Sequence, residues 1–426
     1  MTDTNRPRTT LAQKLVANAA GVAHVEPGEI VMCKVDLAMS HDSSGPRRVA
    51  PMLEALGARV WDTEKYVVVT DHYIPAIDDE SRSIVQFTRD WVKQTGIRHF
   101  YDGAGICHVV LPERGHIRPG MFIVGGDSHA PTGGAFGAYM FGIGATEMLG
   151  VLVTGEIWLK VPETIRIEWN GRFGDGVCAK DVMLYLCGRF GMDGGQYQAV
   201  EYAGEAVRAM PMQERMTLAN MTTEFGGQVG LVAPDDVTFE YLRTRGVDVD
   251  EAGGWDTDDD ASLRARHTLC APDLSPQVAA PDSPANSASA SQYAGQAIDI
   301  AYIGACTGAK LEDLRMAARI LRGHKVASGV SLMVAPASAR DQEQAADEGT
   351  LKALTDAGAT LLPNSCGACA GFGQRFGEDA RVISTTARNF KGRMGAASSR
   401  VWLGSPFTVA ASAIAGSIVD PRALLA

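Results

Sequence analysis

The chain has 426 residues, of which 46% are hydrophobic and 21% are charged, and it carries 39 basic against 50 acidic side chains. This length is about three times the usual ~150 residues of one domain, so we expect two or three domains with well-filled cores. The formal charge of -11 argues against a broad basic surface for nucleic acid or anionic lipid, and an acidic substrate would have to be bound by a local cluster of cations.

Short apolar runs in the first half end abruptly in polar residues. The runs are EIVMCKVD up to Asp36, KYVVVTDH up to Asp71 and His72, and GMFIVGGD up to Asp127. Continuous apolar runs are typical of strands buried on both faces, and the helical periodicity between them, as in 80–95, predicts an α/β protein with largely parallel sheets. Ligands bind beyond the carboxyl ends of such strands, where this sequence concentrates its polar residues.

The second half repeats the pattern after a segment with the composition of a connection. Residues 272–296 are rich in Pro, Ser and Ala. We therefore predict an N-terminal α/β region at 1–285, with room for two subdomains, a linker at 286–296, and a C-terminal α/β domain at 297–426. Its strands are predicted to end at Cys306, Ser338, Cys366 and Arg388, with a helix at 311–321.

Neither export nor membrane insertion is indicated. The first residues contain no apolar run that could form a signal-peptide core. The longest apolar stretch, 407–419, is shorter than the roughly 20 residues that a bilayer requires, and we predict a tightly packed internal helix there. Eight cysteines are too sparse for a disulfide scaffold, so a reducing cytoplasm is the expected location.

The acidic run at 256–260 resembles the first positions of a calcium-binding loop. The sixth position of such a loop is Ala261 rather than Gly, and the twelfth is His267 rather than Glu. A solvated acidic loop is the better interpretation.

Three cysteines follow predicted strands. Cys366 and Cys369 form a C-x-x-C in NSCGACAGFG, and Cys306 lies in IGACTG. Zinc would require a second pair or nearby histidines, and a redox pair would have different flanking residues. Three thiolates at strand ends fit an iron–sulfur cluster with one iron free of protein ligands, and buried structural cysteines are the alternative. The other five, predicted to be small buried apolar residues, are Cys33, Cys107, Cys178, Cys187 and Cys270.

Asp127, Ser128 and His129 are consecutive in a glycine-rich segment. With Ala130 in the last position, the segment resembles a G-x-S-x-G nucleophile elbow, which raises the hypothesis of a serine hydrolase. That elbow requires a helix directly after the serine, whereas residues 131–134 prolong the loop. A polar loop whose aspartate orients a neighbouring histidine fits better, and a turn role for Asp127 stays open.

A cationic cluster follows the last of these strands. Arg388, Lys391 and Arg393 place three cations within six residues of an acidic protein. Planar guanidinium groups bind carboxylates through two hydrogen bonds, so the cluster fits a dicarboxylate or tricarboxylate pocket. An exposed surface loop is the alternative.

Taken together, these motifs resemble the aconitase family, in particular the separate large subunits of isopropylmalate isomerases and homoaconitases. The matching segments are VDLAMSHDSSGP, VVVTDHYIP, FYDGAGICHVVLPERG, GGDSHAPTGGAFGAYMFGIGATE, GEIWLKVPETI, RMTLANMTTEFGG, IGACTG, NSCGACAGF, ARNFKGRMG and LGSPFTVAASA. The resemblance implies aconitase-like α/β/α domains with mainly parallel sheets. It also implies a hydro-lyase that dehydrates and rehydrates a 2-hydroxy diacid, with the 3-isopropylmalate dehydratase type of leucine biosynthesis as the leading expectation.

The resemblance assigns roles to particular residues. It implies one 4Fe-4S cluster per subunit, a Lewis acid that makes hydroxide a better leaving group, with the ligands Cys306, Cys366 and Cys369. The residues that match the catalytic network of carboxylates and imidazoles are Asp71, His72, His108, Asp127, His129 and Glu201. The residues expected to bind substrate are Ser128, Arg388 and Arg393.

The resemblance also implies a partner. In this family the serine base and further substrate arginines lie on a swivel domain, which two-component members carry as a separate small subunit. We expect no such C-terminal domain after Pro421. The expected assembly is therefore a heterodimer with a small subunit of about 150–200 residues, with neither nucleic acid nor membrane as a partner.

Several departures from the family pattern bear on the substrate. Gly308, Ala309 and Lys310 stand where the family has Asn-Gly-Arg, and Ala387 replaces an Asn. Lost amides near the cluster would change iron retention or pocket shape. A homoaconitate, malate or dimethylmalate type of hydratase therefore stays an alternative, as does a non-catalytic iron–sulfur sensor or partner-binding subunit, although a sensor would need only the thiols.

Overall fold

Strands and helices alternate through residues 8–249, 253–373 and 375–425, which a computed structural model describes. The strands are β1 Ile30–Lys34, β2 Leu37–His41, β3 Tyr66–Thr70, β4 His99–Asp102, β5 Phe122–Gly125, β6 Tyr139–Gly142, β7 Glu156–Lys160, β8 Thr164–Asn170, β9 Ala199–Ala203, β10 Val229–Leu231, β11 Ala265–Cys270, β12 Gln277–Ala279, β13 Ser287–Ser289, β14 Ile300–Ile303, β15 Ser331–Val334, β16 Thr360–Leu361, β17 Arg381–Ser384 and β18 Arg400–Gly404. The α-helices are α1 Leu11–Ala20, α2 Pro46–Leu56, α3 Asp79–Thr95, α4 Cys107–Glu113, α5 Ala145–Thr154, α6 Ala179–Phe190, α7 Glu205–Arg208, α8 Met212–Met221, α9 Asp236–Arg243, α10 Leu311–Leu321, α11 Ala339–Asp347, α12 Thr350–Ala357 and α13 Pro406–Ala415. Short 3-10 helices lie at Ala130–Phe136, Ala271–Asp273, Ala290–Tyr293, Gly367–Ala370 and Pro421–Leu424. The predicted α/β class is confirmed.

A parallel five-stranded sheet forms the first layer of the fold, with the strand order β4-β3-β2-β5-β6. Strand β3 is buried along its whole length, as its continuous apolar run predicts. Helix α3 covers this sheet and agrees with the predicted helix at 80–95. Its N-cap, Asp78, accepts a hydrogen bond from the backbone N–H of Ser81, and Gly96 ends the helix in the left-handed conformation.

The apolar run that ends at Asp36 was predicted as a strand of this kind, and that prediction is wrong. Residues 30–34 instead pair antiparallel with β7 in a separate two-stranded ribbon. Cys33 is buried, whereas Ile30 and Met32 are exposed, so the run has only one buried face. The strand that enters the parallel sheet is β2, which begins at Leu37.

A seven-stranded sheet forms the second layer, with the order β13-β12-β18-β17-β14-β15-β16. Five strands run parallel, and the hairpin of β12 and β13 adds an antiparallel edge next to β18. The segment predicted as a connection thus contributes two strands, and the predicted linker at 286–296 contains β13. The small side chains of residues 287–289 fit an edge position. Because β12 and β13 belong to it, the seven-stranded sheet begins before residue 297, where the C-terminal domain was predicted to start.

Helix α13 packs against the seven-stranded sheet, and α10 packs against α13. Helix α10 has the predicted bounds, and α13 is the predicted buried internal helix, ended by Gly416 with a φ of 74°. No helix among the described residues combines the length and apolarity needed to cross a bilayer.

A parallel four-stranded sheet completes the fold, with the order β10-β9-β8-β11. Cys270 lies at the end of its edge strand β11 and is exposed, so the prediction that this cysteine is buried is wrong. The other four non-motif cysteines, Cys33, Cys107, Cys178 and Cys187, are buried as predicted.

Candidate active site

The carboxyl ends of the five-stranded and the seven-stranded sheet meet at one place. The backbone N–H of Cys366, beyond β16, donates to the carbonyl oxygen of Asp71, beyond β3, at 2.9 Å. Arg388, beyond β17, donates from Nη2 to Ser128 Oγ, beyond β5, at 3.1 Å. Residues that follow strand ends in the two halves of the chain therefore form a single site, as parallel sheets of this kind favour.

Asp71 and His72 form the first imidazole–carboxylate pair. Asp71 Oδ1 lies 2.6 Å from His72 Nδ1, and Asp71 Oδ2 accepts the N–H of Cys107, the first residue of α4, at 2.8 Å. Burial favours a raised pKa for Asp71, but His72 and His41 overcome it and hold this pKa at about 2. Burial lowers the pKa of His72, whereas the Cys366 thiolate and Asp71 raise it, and it lies well above its usual value.

His108 and Asp127 form the second pair. His108 Nε2 lies 2.6 Å from Asp127 Oδ1, and the same oxygen accepts the backbone N–H of His129 at 2.8 Å. Burial favours a raised pKa for Asp127, but His108 lowers it well below its usual value. The carboxylate therefore stays ionised and orients two histidines, which fits the predicted polar loop.

His41 was not recognised from the sequence. It ends β2, its ring stacks on His72 with 3.8 Å between centroids, and its Nε2 lies 3.5 Å from Asp127 Oδ2. It thereby links the first pair to the second. The signal for it was present, because the run Leu37–His41 is an apolar strand that ends in a histidine.

His129 and Glu224 form the third pair, and Glu224 was also missed. Glu224 Oε1 lies 3.0 Å from His129 Nε2 and accepts Arg388 Nε at 2.5 Å. Burial favours a raised pKa for Glu224, but His129 and Arg388 lower it, so a buried carboxylate holds an imidazole and a guanidinium together. Burial lowers the pKa of His129 more than Glu224 raises it.

Glu201, predicted as a catalytic residue, makes different contacts. It lies in the middle of β9, in register with Arg166 of β8, whose Nη1 donates to Glu201 Oε1 at 2.9 Å. Its other oxygen accepts the hydroxyl of Thr257. Glu201 therefore forms a cross-strand ion pair, whereas Glu224 is the glutamate in contact with His129 and Arg388.

The three motif cysteines are free thiols, of which Cys306 and Cys369 are buried and Cys366 is half-buried. Burial raises the pKa of Cys306, and the thiolates of Cys366 and Cys369 raise it further. Burial also raises the pKa of Cys366, to about 11, although His72 opposes this. Because burial and neighbouring thiolates raise the pKa of Cys306 and Cys366, a cation is needed to hold these residues as thiolates, so this donor set fits a metal centre.

Polar groups around the thiols lack protein partners. Asn220 Nδ2 donates to Cys306 Sγ at 3.2 Å, but Asn220 Oδ1 is buried without a partner. His108 Nδ1, Glu224 Oε2 and Arg393 Nε are likewise buried and unpaired among the described residues. Buried polar groups are normally hydrogen-bonded, so these atoms fit a site that receives a polar ligand. A cavity of about 340 Å³ has Asp127, Ser128 and Thr223 in its wall.

The comparisons with known proteins agree with this arrangement. The family described as "Aconitase family (aconitate hydratase)" matches residues 13–295 and 286–416, which is nearly the whole chain. The chain belongs to the aconitase family, and by class it is a hydro-lyase.

Relatives match over their full length. "3-isopropylmalate dehydratase large subunit 1" of Methanopyrus kandleri is 45% identical over 418 residues, which cover 98% of this chain and 99% of that protein. "Probable methanogen homoaconitase large subunit" of Methanothermobacter thermautotrophicus is 40% identical and covers 97% of this chain and 98% of its own. The crystal structure of Thermococcus kodakaraensis aconitase X in its holo-form is 14% identical, with a TM-score of 0.51 over 86% of this chain and 88% of that chain, and it supports the fold alone.

Proposed function

We propose that this chain is the cluster-bearing large subunit of a hydro-lyase of the 3-isopropylmalate dehydratase type, which dehydrates and rehydrates a 2-hydroxy diacid. One observation carries the proposal: the three imidazole–carboxylate pairs and Arg388 lie at the edge where the two sheets meet, and there the Asp71 carbonyl accepts the N–H of Cys366. The names of the relatives, two of which are given above, support the same activity.

Cys306, Cys366 and Cys369 would hold the 4Fe-4S cluster, one per subunit. The cluster would supply a Lewis-acidic iron for the substrate hydroxyl. Asn220 donates to Cys306 Sγ and would stabilise its thiolate. His72, whose pKa is raised, would counter the charge of Cys366.

The histidines and carboxylates would move protons and hold their partners in place. In this proposal Asp71 with His72, Asp127 with His108, and Glu224 with His129 are the acid–base pairs, because each ring lies within hydrogen-bond reach of a carboxylate. We assign to Glu224 the role first expected for Glu201, since Glu224 is the residue bonded to His129.

Arg388, Ser128 and Arg393 would bind substrate carboxylates. Arg388 uses Nε on Glu224 and Nη2 on Ser128, so its orientation is set before substrate arrives. The unpaired Nε of Arg393 offers a second guanidinium donor. Two arginines suit a diacid, because each guanidinium matches the geometry of one carboxylate.

We further propose a small swivel-domain subunit as partner, and leucine biosynthesis in the cytoplasm as the setting. The names of the relatives contain the words "large subunit". A homoaconitate, malate or dimethylmalate substrate is the alternative, supported by the homoaconitase relative and by Gly308 and Ala387 in place of the family's amides.

Anaerobic purification with iron and sulfide analysis tests the cluster. We expect iron and acid-labile sulfide in the wild type, much less of both in Cys366→Ser, and no loss in Cys33→Ala, a buried cysteine of β1 that serves as the control. Wild-type protein that remains free of iron after anaerobic reconstitution would overturn the proposal.

A second experiment tests the activity. The reconstituted chain is combined with the small subunit and offered 3-isopropylmalate, homoaconitate, malate or dimethylmalate. Formation of the unsaturated acid from the hydroxy acids, or its consumption in the case of homoaconitate, is followed. We expect turnover of 3-isopropylmalate only in the presence of the small subunit. Turnover of another diacid alone would favour the alternative substrate, and equal activity without the small subunit would refute the partner.

A further inference from the structure

Lys180, the second residue of α6, is a buried lysine with no role in the site described so far. Only 1% of it is exposed. Its Nζ donates to the carbonyl oxygens of Thr386 at 2.6 Å and Thr385 at 3.0 Å, and it lies 3.5 Å from Thr307 Oγ1. Burial of an ammonium group is costly unless several acceptors receive its hydrogens, as happens here.

These acceptors belong to two loops of the site. Residues 304–310, between β14 and α10, form the Cys306 loop, and residues 385–399, between β17 and β18, form the Arg388 loop. The loops also bond each other directly, since the Gly304 N–H donates to Thr385 Oγ1 and Thr307 Oγ1 donates to the Thr385 carbonyl, both at 2.9 Å. Lys180 therefore lies where the loop with a cysteine meets the loop with an arginine.

The charge of Lys180 has no contact partner of opposite sign. No carboxylate of the described residues lies within ion-pair distance of its Nζ, and its three acceptors are neutral oxygens. Burial lowers the pKa of Lys180 to about 8, while Glu224 and the thiolates of Cys369 and Cys306 oppose this. The negative charge that Lys180 faces therefore comes from the site itself.

We propose that Lys180 is a positioning residue that clamps the Cys306 loop to the Arg388 loop and provides an uncompensated cation to the anionic centre that the cysteines form. The clamp follows from the hydrogen bonds alone. The second part rests on the proposed function, because it requires the three thiolates of a bound cluster.

A second buried lysine provides a matched control. Lys310 is fully buried, and its Nζ donates to the Cys306 carbonyl at 2.9 Å, to Thr217 Oγ1 at 2.9 Å and to Asp313 Oδ2 at 2.7 Å. It holds the Cys306 loop but has no hydrogen bond to the Arg388 loop among the described residues. Loss of Lys310 is therefore expected to loosen one loop, whereas loss of Lys180 is expected to loosen both.

Hydrogen exchange of backbone amides in the protein without iron tests the clamp. We expect at least tenfold faster exchange in residues 304–309 and also in 385–389 for Lys180→Met, and faster exchange in 304–309 alone for Lys310→Met. Lys180→Gln retains one amide donor, so its exchange rates in the two loops should lie between those of wild type and Lys180→Met. If the methionine variant does not fold, the glutamine variant tests the clamp. Unchanged exchange in either loop of the folded Lys180 variant would overturn the clamp.

The midpoint potential of the reconstituted cluster tests whether the positive charge of Lys180 acts on the cluster. A cation next to the cluster favours its reduced form, so both neutral Lys180 variants should have a more negative potential than wild type, with about a tenfold lower ratio of reduced to oxidised cluster. An unchanged potential would refute this part. Wild-type protein without a cluster would instead refute the proposed function, while the exchange experiment would still decide the clamp.

Discussion

Arg388 Nε donates to Glu224 Oε1 at 2.5 Å, and the same oxygen lies 3.0 Å from His129 Nε2. One buried carboxylate thus holds a guanidinium from the seven-stranded half of the molecule and an imidazole from the five-stranded half. The pKa of Glu224 is lowered although burial opposes this, so the group remains anionic in the folded protein. The spacing between Arg388, proposed to bind substrate, and His129, proposed to transfer protons, therefore depends on Glu224.

Replacement of Glu224 tests this role against that of Glu201. We expect Glu224→Gln to lower kcat by roughly 10²- to 10³-fold, the range for loss of an acid–base partner. Glu201→Gln should keep kcat within about threefold but lower stability by about 1–3 kcal/mol, because Arg166 loses its ionised partner. Steady-state kinetics and urea denaturation of both variants check this. The reverse pattern would restore Glu201 as the catalytic residue.

Replacement of His41 tests whether this residue supports the proposed acid–base pairs. Its ring stacks on His72, and its Nε2 faces the carboxylate of Asp127. His41→Phe preserves an aromatic ring on His72 but removes the nitrogen next to Asp127. We expect roughly a tenfold lower kcat with an unchanged circular dichroism spectrum. His267 lies on β11 of the four-stranded sheet, and its ring packs against Phe190 at the end of α6. His267→Phe is therefore the control and should leave kcat unchanged. Equal effects of the two substitutions would contradict a role for His41.

The packing of Thr385 explains why glycine occupies position 308, one of the departures from the family pattern. A Cβ atom at this position would lie 2.2 Å from Thr385 Cβ, so the side chain of Thr385 occupies the space that another residue would need. We expect Gly308→Ala to lower the free energy of unfolding by about 1–3 kcal/mol, as overpacking does. Thr385→Gly also removes the hydrogen bond to Gly304, so the expected result is a double-mutant one: Gly308→Ala should cost less in a Thr385→Gly chain than in wild type, which chemical denaturation measures.

Gly150 in α5 is the control for this substitution. Nothing lies within 4 Å of a Cβ placed there, so Gly150→Ala should stabilise the helix by about 0.5–1 kcal/mol. If Gly308→Ala were as well tolerated as Gly150→Ala, the contact with Thr385 would not be the reason for glycine at 308.

The raised pKa of Glu214 predicts that the stability of the protein depends on pH. Burial raises its pKa to about 7, against 4.5 for the free side chain, although the N–H of Ala179 donates to it at 2.9 Å. Between these two pH values the folded chain binds the proton and the unfolded chain does not, so the contribution of Glu214 to stability is lost as pH rises through 7.

Glu214→Gln imitates the neutral acid at every pH. The stability of this variant relative to wild type should therefore increase by about 1–3 kcal/mol between pH 4.5 and pH 7.5, since one pKa unit corresponds to about 1.4 kcal/mol. Urea denaturation of both proteins at several pH values measures the difference. Parallel curves across this interval would show that Glu214 is ionised in the folded protein.

Much of the site followed from one physical rule, that polar residues directly after buried strands gather at one edge of a parallel sheet. That rule located Asp71, Asp127, Cys306 and Arg388. It failed for His41, because the run predicted as a buried strand was the one-sided strand β1, and β2, which begins after a gap of only two residues, was not predicted.

Glu224 and Glu201 show a different limit of prediction from the sequence. Glu224 follows α8 rather than a strand, so the rule does not apply to it, although its segment RMTLANMTTEFGG was among the matching motifs. Glu201 lies within a strand, where an ion pair with Arg166 balances its charge. Which of two buried glutamates faces a histidine depends on tertiary contacts between distant segments, and local sequence does not encode these.

The hydrogen bond from the Cys366 N–H to the Asp71 carbonyl joins positions about 300 residues apart in the chain. Contacts of such long sequence separation form late in folding, because the cost of loop closure precedes their benefit. The three thiols and the histidines therefore come together only after both sheets have formed and docked. A chain that is still folding presents the Cys366–Cys369 pair without Cys306 and the histidines, so the metal centre proposed above would mark completed folding.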